Sequence, residues 1–141
     1  MAIRAITFDF RRTLFTDRAD PVERRQIRID ALCRATGTAP EAAKRALLTS
    51  ESEFLQHHIR EQRTLGPLDA VHIVARELGV SIAEETTRDL ADVFGSAILE
   101  FPPWPIVGAL DAVRIAAERF PAGIVSDTGI SPGKSLRTIL D

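Results

Sequence analysis

The sequence predicts an α/β chain in which a long helical insert interrupts an incomplete parallel sheet. Two short apolar runs, residues 5–8 and 121–125, have the length and composition of buried strands. The first run stops at Asp9 and the second at Ser126. Because open α/β sheets bind their ligands at the carboxyl ends of the strands, both polar residues are expected at the functional edge of the sheet.

The residues between the two runs have apolar side chains at helical spacing, broken by glycine and proline. Gly66-Pro67 predicts a helix that begins at Pro67, and Thr38 with Glu41 predicts a capping box at an earlier helix start. A proline-rich segment, residues 102–105, marks the end of the insert. We therefore expect a core of residues 1–16 and 101–141, with a helical cap of residues 17–100.

The predicted sheet has too few strands to be stable alone. Two strands make a poor sheet, and helices that pack on a parallel sheet normally cover several strands. We therefore expect a partner subunit, a homodimer or a domain swap to complete it, unless a missing carboxyl-terminal half supplies the strands.

Composition excludes several classes of protein. A net charge of −2 argues against a general nucleic-acid binder, and the single cysteine, Cys33, excludes a disulfide framework or a multi-thiolate zinc site. No signal sequence and no apolar run long enough for a membrane span is visible, so we expect a cytoplasmic protein. Five arginines, among interspersed acids, suggest a solvated helix face more than an anion-binding stripe: Arg18, Arg24, Arg25, Arg28 and Arg34.

Two motifs give the chain a family resemblance. Phe8-Asp9-Phe10-Arg11-Arg12-Thr13-Leu14 resembles the first motif of the haloacid dehalogenase superfamily, an apolar strand followed by Asp-x-Asp-x-Thr-Leu/Val. Ile124-Val125-Ser126-Asp127-Thr128 resembles its second motif, an apolar strand that ends in Ser or Thr. The helical insert lies where that family has its cap. The resemblance implies a Rossmann-like core, and it covers about the first half of such an enzyme.

The resemblance also implies roles for individual residues. Asp9 would be the nucleophile that attacks phosphorus or a halogen-bearing carbon of a small-molecule substrate, and Thr13 would be a further catalytic residue of the same motif. Magnesium would be held by the Asp9 carboxylate and the backbone carbonyl of Arg11. Ser126 would donate a hydrogen bond to the substrate, and Arg11, Asp127 and Thr128 would line the substrate site. The alternatives to these roles are a turn cap at Asp9 and a helix or turn cap at Ser126.

Two departures from the family pattern leave catalysis open. Arg11 stands where phosphatases of the family have a second Asp, and a guanidinium cannot act as a general acid or base at neutral pH; it could instead pair with Asp9. The family's third and fourth motifs, a Lys and an acidic pair, have no counterpart before Asp141. A non-catalytic relative that self-associates or binds a protein partner is therefore the alternative to a hydrolase.

Overall fold

The computed structural model describes residues 3–17 and 22–141. The predicted fold class is confirmed, since a small parallel sheet is interrupted by a long helical segment. In chain order the elements are β1 (Ile6–Phe8), β2 (Phe15–Thr16), α1 (Val22–Thr36), α2 (Pro40–Glu61), α3 (Pro67–Leu78), α4 (Glu84–Glu100), β3 (Trp104–Pro105), α5 (Ala109–Ala117), β4 (Ala122–Ile124) and α6 (Gly133–Leu140).

The described residues form two compact units. The sheet unit contains residues 3–17 and 102–127, and the helical unit contains residues 22–101 and 128–141. Helix α6 thus groups with the helices, whereas the sequence pattern predicts residues 128–141 in the core. The predicted domain boundaries stay a prediction.

The sheet unit contains two strand pairs. Strands β1 and β4 pair in parallel, with Ile6 level with Ala122 and Phe8 level with Ile124. Strands β2 and β3 pair antiparallel, and this second pair was not predicted. Pro105 has no N–H to donate, but it fits this pair because an edge strand tolerates a missing ladder bond.

The parallel sheet of this unit is largely exposed to solvent. All three residues of β4 are exposed, and Val125, directly after it, is 69% exposed. Helix α5 buries only Ala109, while its apolar residues Leu110 and Ile115 remain about half exposed. Trp104 is also 51% exposed. The expectation of an incomplete sheet therefore agrees with the structure.

The helical unit has its own hydrophobic core. Its centre is formed by side chains that exclude solvent almost completely: Leu32, Leu47, Val71, Val74 and Phe94. These residues come from four helices, α1 to α4, so each helix contributes its apolar stripe to the same core. Burial of that stripe, and not helix propensity, is the main source of stability for helices of this length.

Helix α3 begins as the sequence predicts, and helix α2 does not. Pro67 is the first residue of α3, and the carboxylate of Asp69 accepts a hydrogen bond from the Gly66 N–H at 2.7 Å. The capping box predicted at Thr38 is wrong, because the N-cap of α2 is Ala39 and no side chain caps it. The Thr38 hydroxyl instead accepts a hydrogen bond from Thr36 at the end of α1.

Two of the five arginines are buried, so the prediction of a solvated helix face is wrong for them. Arg28 is 6% exposed and donates from Nε and Nη2 to the Phe94 carbonyl at 3.2 and 3.1 Å. Arg24 is 9% exposed and donates from Nε to the Phe101 carbonyl at 2.7 Å. Burial lowers the pKa of Arg28 to about 10, which leaves it charged at neutral pH. Arg18 lies outside the described residues.

Helix α6 is anchored to α4 at Gly95. The buried hydroxyl of Ser135 donates to the Gly95 carbonyl at 2.9 Å, and Lys134 forms an ion pair with Asp92 at 2.8 Å. A Cβ on Gly95 would lie 3.0 Å from Cδ of Pro132. Glycine is therefore what allows the start of α6 to approach α4 so closely.

Candidate active site

The pairing of β1 with β4 brings Asp9 and Ser126 to the same edge of the sheet. Phe8 and Ile124 are level in the register, and the Val125 N–H donates to the Phe8 carbonyl at 3.0 Å. Asp9 follows β1 by one residue and Ser126 follows β4 by two. Both polar residues therefore stand at the carboxyl ends of neighbouring parallel strands, where ligands of open α/β sheets bind.

The chain after Asp9 is held in a tight turn by buried aromatic residues. The Phe10 carbonyl accepts hydrogen bonds from the N–H groups of Leu14 and Phe15 at 3.1 and 2.9 Å. The rings of Phe10 and Phe15 stack with centroids 4.6 Å apart, and both side chains are buried. Arg12 adopts a left-handed conformation with φ of 62°. These contacts hold the backbone directly after Asp9 in one conformation.

Asp9 and Ser126 do not cap the backbone. Among the described residues, neither the Asp9 carboxylate nor the Ser126 hydroxyl has a hydrogen-bond or ion-pair partner. The next helix after Ser126 is α6, and its N-cap is Pro132. Asp9 is exposed and Ser126 half-buried, so both side chains are available to a ligand.

Arg11 pairs with Asp17 and not with Asp9. Its Nη2 lies 3.0 Å from Oδ2 of Asp17, and its own side chain is 68% exposed. Arg11 therefore does not neutralise the carboxylate that the sequence analysis takes as the nucleophile. No sequence signal identifies Asp17, because the pair spans strand β2, which was not predicted.

The remaining predicted residues differ in their placement. Thr13 is exposed within the turn, and its hydroxyl has no hydrogen-bond partner in the described part of the chain. Asp127 is exposed in the sheet unit. Thr128 belongs to the helical unit. Their catalytic and binding roles stay predictions.

A magnesium ion at Asp9 would take only part of its oxygen ligands from the protein. The ion prefers six, commonly one or two carboxylates together with waters and substrate phosphates. Over residues 3–17 and 22–141, no group of three or more His, Cys, Asp or Glu side chains could hold a metal ion. The Asp9 carboxylate and the Arg11 carbonyl would leave the other positions of the ion to water and substrate, so the magnesium site stays a prediction, and we assign no reaction step to the ion.

A separate cavity of about 500 Å³ lies within the helical unit, between the end of α1 and the start of α4. Its lining is apolar or hydroxylic and contains no titratable side chain: Ala35, Thr36, Val80, Ser81, Ile82, Ala83 and Thr86. Because no carboxylate lines it, this cavity cannot supply the aspartyl nucleophile that the sequence motifs indicate.

Comparison with solved structures gives matches that include one dehalogenase. L-2-haloacid dehalogenase from Xanthobacter autotrophicus is 20% identical in sequence, with a TM-score of 0.47. The match covers 99% of this chain and 51% of that enzyme, so the chain spans about half of its length. No family model matches the sequence, and no curated protein does. The structural match assigns neither activity nor substrate to this chain.

None of the helices that the structure describes is long and apolar enough to cross a membrane.

Proposed function

We propose that the protein is a hydrolase with an aspartyl nucleophile, and that it acts on a small 2-halo acid in preference to a phosphate ester. The observation that carries the proposal is the register of β1 and β4, which leaves Asp9 and Ser126 at adjacent strand ends. The uncapped carboxylate of Asp9 is an available nucleophile, and the uncapped hydroxyl of Ser126 is an available donor.

The reaction takes two steps. An Oδ atom of Asp9 attacks the halogen-bearing carbon, a carbon–oxygen bond forms, and the carbon–halogen bond breaks with loss of a halide ion. Water then hydrolyses the aspartyl ester, which releases a 2-hydroxy acid and a proton and restores Asp9. The Ser126 hydroxyl and nearby backbone amides bind the anionic group of the substrate.

Arg11 supports the preference for carbon over phosphorus. Release of an alcohol from a phosphate monoester requires a proton donor, whereas a halide leaves as a stable anion without one. Arg11 stands where the resembled phosphatases have their acid, and its guanidinium is held by Asp17. A guanidinium keeps its proton at neutral pH, so it cannot assist an alcohol leaving group.

Turnover of three substrates tests the proposal. We expect halide release from 2-chloropropionate, with less or no phosphate release from glycerol phosphate. p-Nitrophenyl phosphate has a leaving group that needs no proton. Its hydrolysis without hydrolysis of glycerol phosphate would show that the general acid is missing, whereas hydrolysis of neither would show that Asp9 does not attack phosphorus. Each assay is run with and without magnesium, because the resemblance implies that ion for phosphate esters.

Two variants serve as controls for these assays. Asp9→Asn removes the nucleophile with little change in shape and should abolish turnover. Ser126→Ala should lower kcat by about a hundredfold, as loss of one preorganised donor typically does. Equal rates for wild type and Asp9→Asn on all three substrates would refute catalysis by this chain.

A binding role for the sheet unit is the second candidate function. It is favoured by the exposure of β4, which among the described residues pairs only with β1 and could accept another strand on its second edge. The two functions separate experimentally, because Asp9→Asn should abolish catalysis and leave binding intact. Val125→Asp, a change at the 69% exposed residue after β4, should weaken such binding.

A further inference from the structure

Asp17 binds the guanidinium of Arg11 in the turn that follows β1. Nη2 of Arg11 lies 3.0 Å from Oδ2 of Asp17, and this is the only side-chain hydrogen bond of Arg11 among the described residues. The side chain of Asp17 is 21% exposed, whereas that of Arg11 is 68% exposed. The carboxylate is therefore the more enclosed member of the pair, and it determines where the long arginine side chain lies.

Asp9 is a second carboxylate within reach of Arg11. The Cα atoms of the two residues are at most about 7.6 Å apart, because only two peptide units separate them. Both residues are exposed, whereas Phe10 between them is buried, so both side chains lie on the solvent side of the turn. Asp9 and Asp17 thus compete for one guanidinium, and in the structure Arg11 pairs with Asp17.

The backbone that carries Asp17 is held by contacts other than this ion pair. Asp17 comes directly after β2, which pairs with β3. Beside this pair, the Leu14 carbonyl accepts a hydrogen bond from the Ile106 N–H at 2.8 Å. The ring of Phe15, in β2, stacks on that of Phe10. Asp17 is therefore placed by the fold of the turn and its strand pair, and Arg11 follows it.

A guanidinium bound to Asp9 would hinder the proposed reaction. Arginine commonly binds both oxygens of a carboxylate at once, through two parallel hydrogen bonds. One of these oxygens must be free to attack the carbon of the substrate. The cation would also stabilise the carboxylate in its unreacted form, which raises the barrier to attack. The proposed nucleophile is therefore available only while Arg11 binds elsewhere.

We propose that Asp17 is a positioning residue, which holds Arg11 away from Asp9 and so leaves the nucleophile free. Asp17 acts through Arg11 and takes no part in the reaction itself. This role rests on the proposed function, because it concerns the same nucleophile. The effect on the rate is modest, since the ion pair of an exposed arginine changes an equilibrium by no more than about fivefold.

A double-mutant cycle on halide release from 2-chloropropionate tests this role. Asp17→Asn should lower kcat/KM by about two- to fivefold at low ionic strength, because Arg11 is then free to pair with Asp9. In an Arg11→Gln background, Asp17→Asn should lower kcat/KM no further, since no guanidinium remains at position 11. Arg12→Gln is the matched background, with the same change in net charge, and there Asp17→Asn should still have its effect.

Ionic strength and two further variants separate the effect of charge from a structural effect. Salt screens exposed ion pairs, so the difference between wild type and Asp17→Asn should shrink as ionic strength rises, which a purely structural role does not predict. Asp17→Glu keeps a carboxylate for Arg11 and should recover most of the lost activity. Asp111→Asn removes the carboxylate of another exposed pair of the sheet unit, 2.8 Å from Arg114, and should leave kcat/KM unchanged.

Two kinetic results would overturn the role of Asp17: no loss of activity in Asp17→Asn, or an equal loss in the Arg11→Gln background. If wild type releases neither halide nor phosphate, the proposed function fails, and crystal structures of wild type and Asp17→Asn decide the role of Asp17 separately. The guanidinium of Arg11 should lie within hydrogen-bond distance of the Asp9 carboxylate in the variant and away from it in wild type. An Arg11 that stays away from Asp9 in the variant would overturn the role.

Discussion

The two units of the chain differ in how much of their apolar surface they bury. In the helical unit, helices α1 to α4 enclose a core whose central residue, Phe94, is fully buried. In the sheet unit, β4 is exposed along its whole length, and Val107 is 100% exposed. A parallel sheet is normally covered on both faces. The helical unit thus contains its own hydrophobic core, while the sheet unit leaves much of its apolar surface exposed.

The two units also give separate spectroscopic signals. Trp104, the single tryptophan, lies in the sheet unit, so fluorescence reports on that unit. Most helical residues lie in the helical unit, so far-ultraviolet circular dichroism reports mainly on it. Transitions that do not coincide show that unfolding is not two-state. Each variant below is therefore measured with both probes.

The largest expected effect is that of Phe94→Ala. Removal of a fully buried phenylalanine should lower the free energy of unfolding of the helical unit by about 3–5 kcal/mol. Urea unfolding followed by circular dichroism measures the loss. Ile124→Ala is the control variant in the sheet unit. Ile124 is 40% exposed, so this change should lower the free energy of unfolding by less than about 1 kcal/mol. Equal losses at the two positions would contradict the contrast between the units.

Arg28→Ala should have the next largest effect. It removes two hydrogen bonds from a buried cation to the Phe94 carbonyl, together with the packed aliphatic stem. We expect a loss of about 2–3 kcal/mol in the unfolding free energy, measured in urea at neutral pH. Arg34→Ala, on the exposed face of the same helix, should change it by less than about 0.5 kcal/mol. If the two variants were equally stable, the burial of Arg28 would be energetically neutral.

Gly95→Ala should destabilise the anchor of α6 more than the rest of the helical unit. Alanine favours a helix over glycine by about 1 kcal/mol, but its Cβ would lie 3.0 Å from Pro132. Overpacking of this kind costs about 1–3 kcal/mol, which exceeds the gain in helix propensity. We therefore expect the free energy of unfolding to fall by about 1 kcal/mol. Hydrogen exchange should become faster in α6. Ser96→Ala, at the exposed neighbouring position, should leave the exchange of α6 unchanged.

The smallest effect is expected in the sheet unit, from Arg12→Gly. A left-handed conformation costs a non-glycine residue about 1–2 kcal/mol, and glycine adopts it freely. Glycine also gives the unfolded chain more conformational entropy, which offsets part of this gain. The free energy of unfolding of the variant should therefore rise by up to about 1 kcal/mol. The midpoint of the Trp104 fluorescence transition should rise. Arg4→Gly, at a position without positive φ, should not raise it.

Local signals account for the parts of the fold that the sequence predicted. Gly66-Pro67 marks the start of α3 because proline fits the first helical turn, and the apolar run that stops at Asp9 has the pattern of a buried strand. The shared edge of Asp9 and Ser126 was predicted because parallel strands end on the same side of a sheet. These inferences need only neighbouring residues and a general rule of sheet geometry.

The remaining features depend on contacts between distant residues. Strands β2 and β3 have two residues each, too few for any periodicity. Arg24 and Arg28 look solvated in the sequence, and only the carbonyl groups of α4 and the residue after it explain their burial. The pairing of Arg11 with Asp17 likewise requires the fold of the turn. The catalytic roles of Asp9, Thr13 and Ser126 await the substrate assays.

The hydrogen bond from Arg24 to the Phe101 carbonyl joins the beginning and the end of the four-helix segment. A chain that must close a long loop loses more conformational entropy than one that closes a short loop, by about 0.6 kcal/mol for each doubling of length. Once the helices have assembled, the two ends of the segment are already close together. Closing this loop of nearly eighty residues then costs little more conformational entropy than closing a short loop. The segment therefore has the geometry of a transplantable insertion, one that a host protein could accept in a surface loop without its own ends being forced apart.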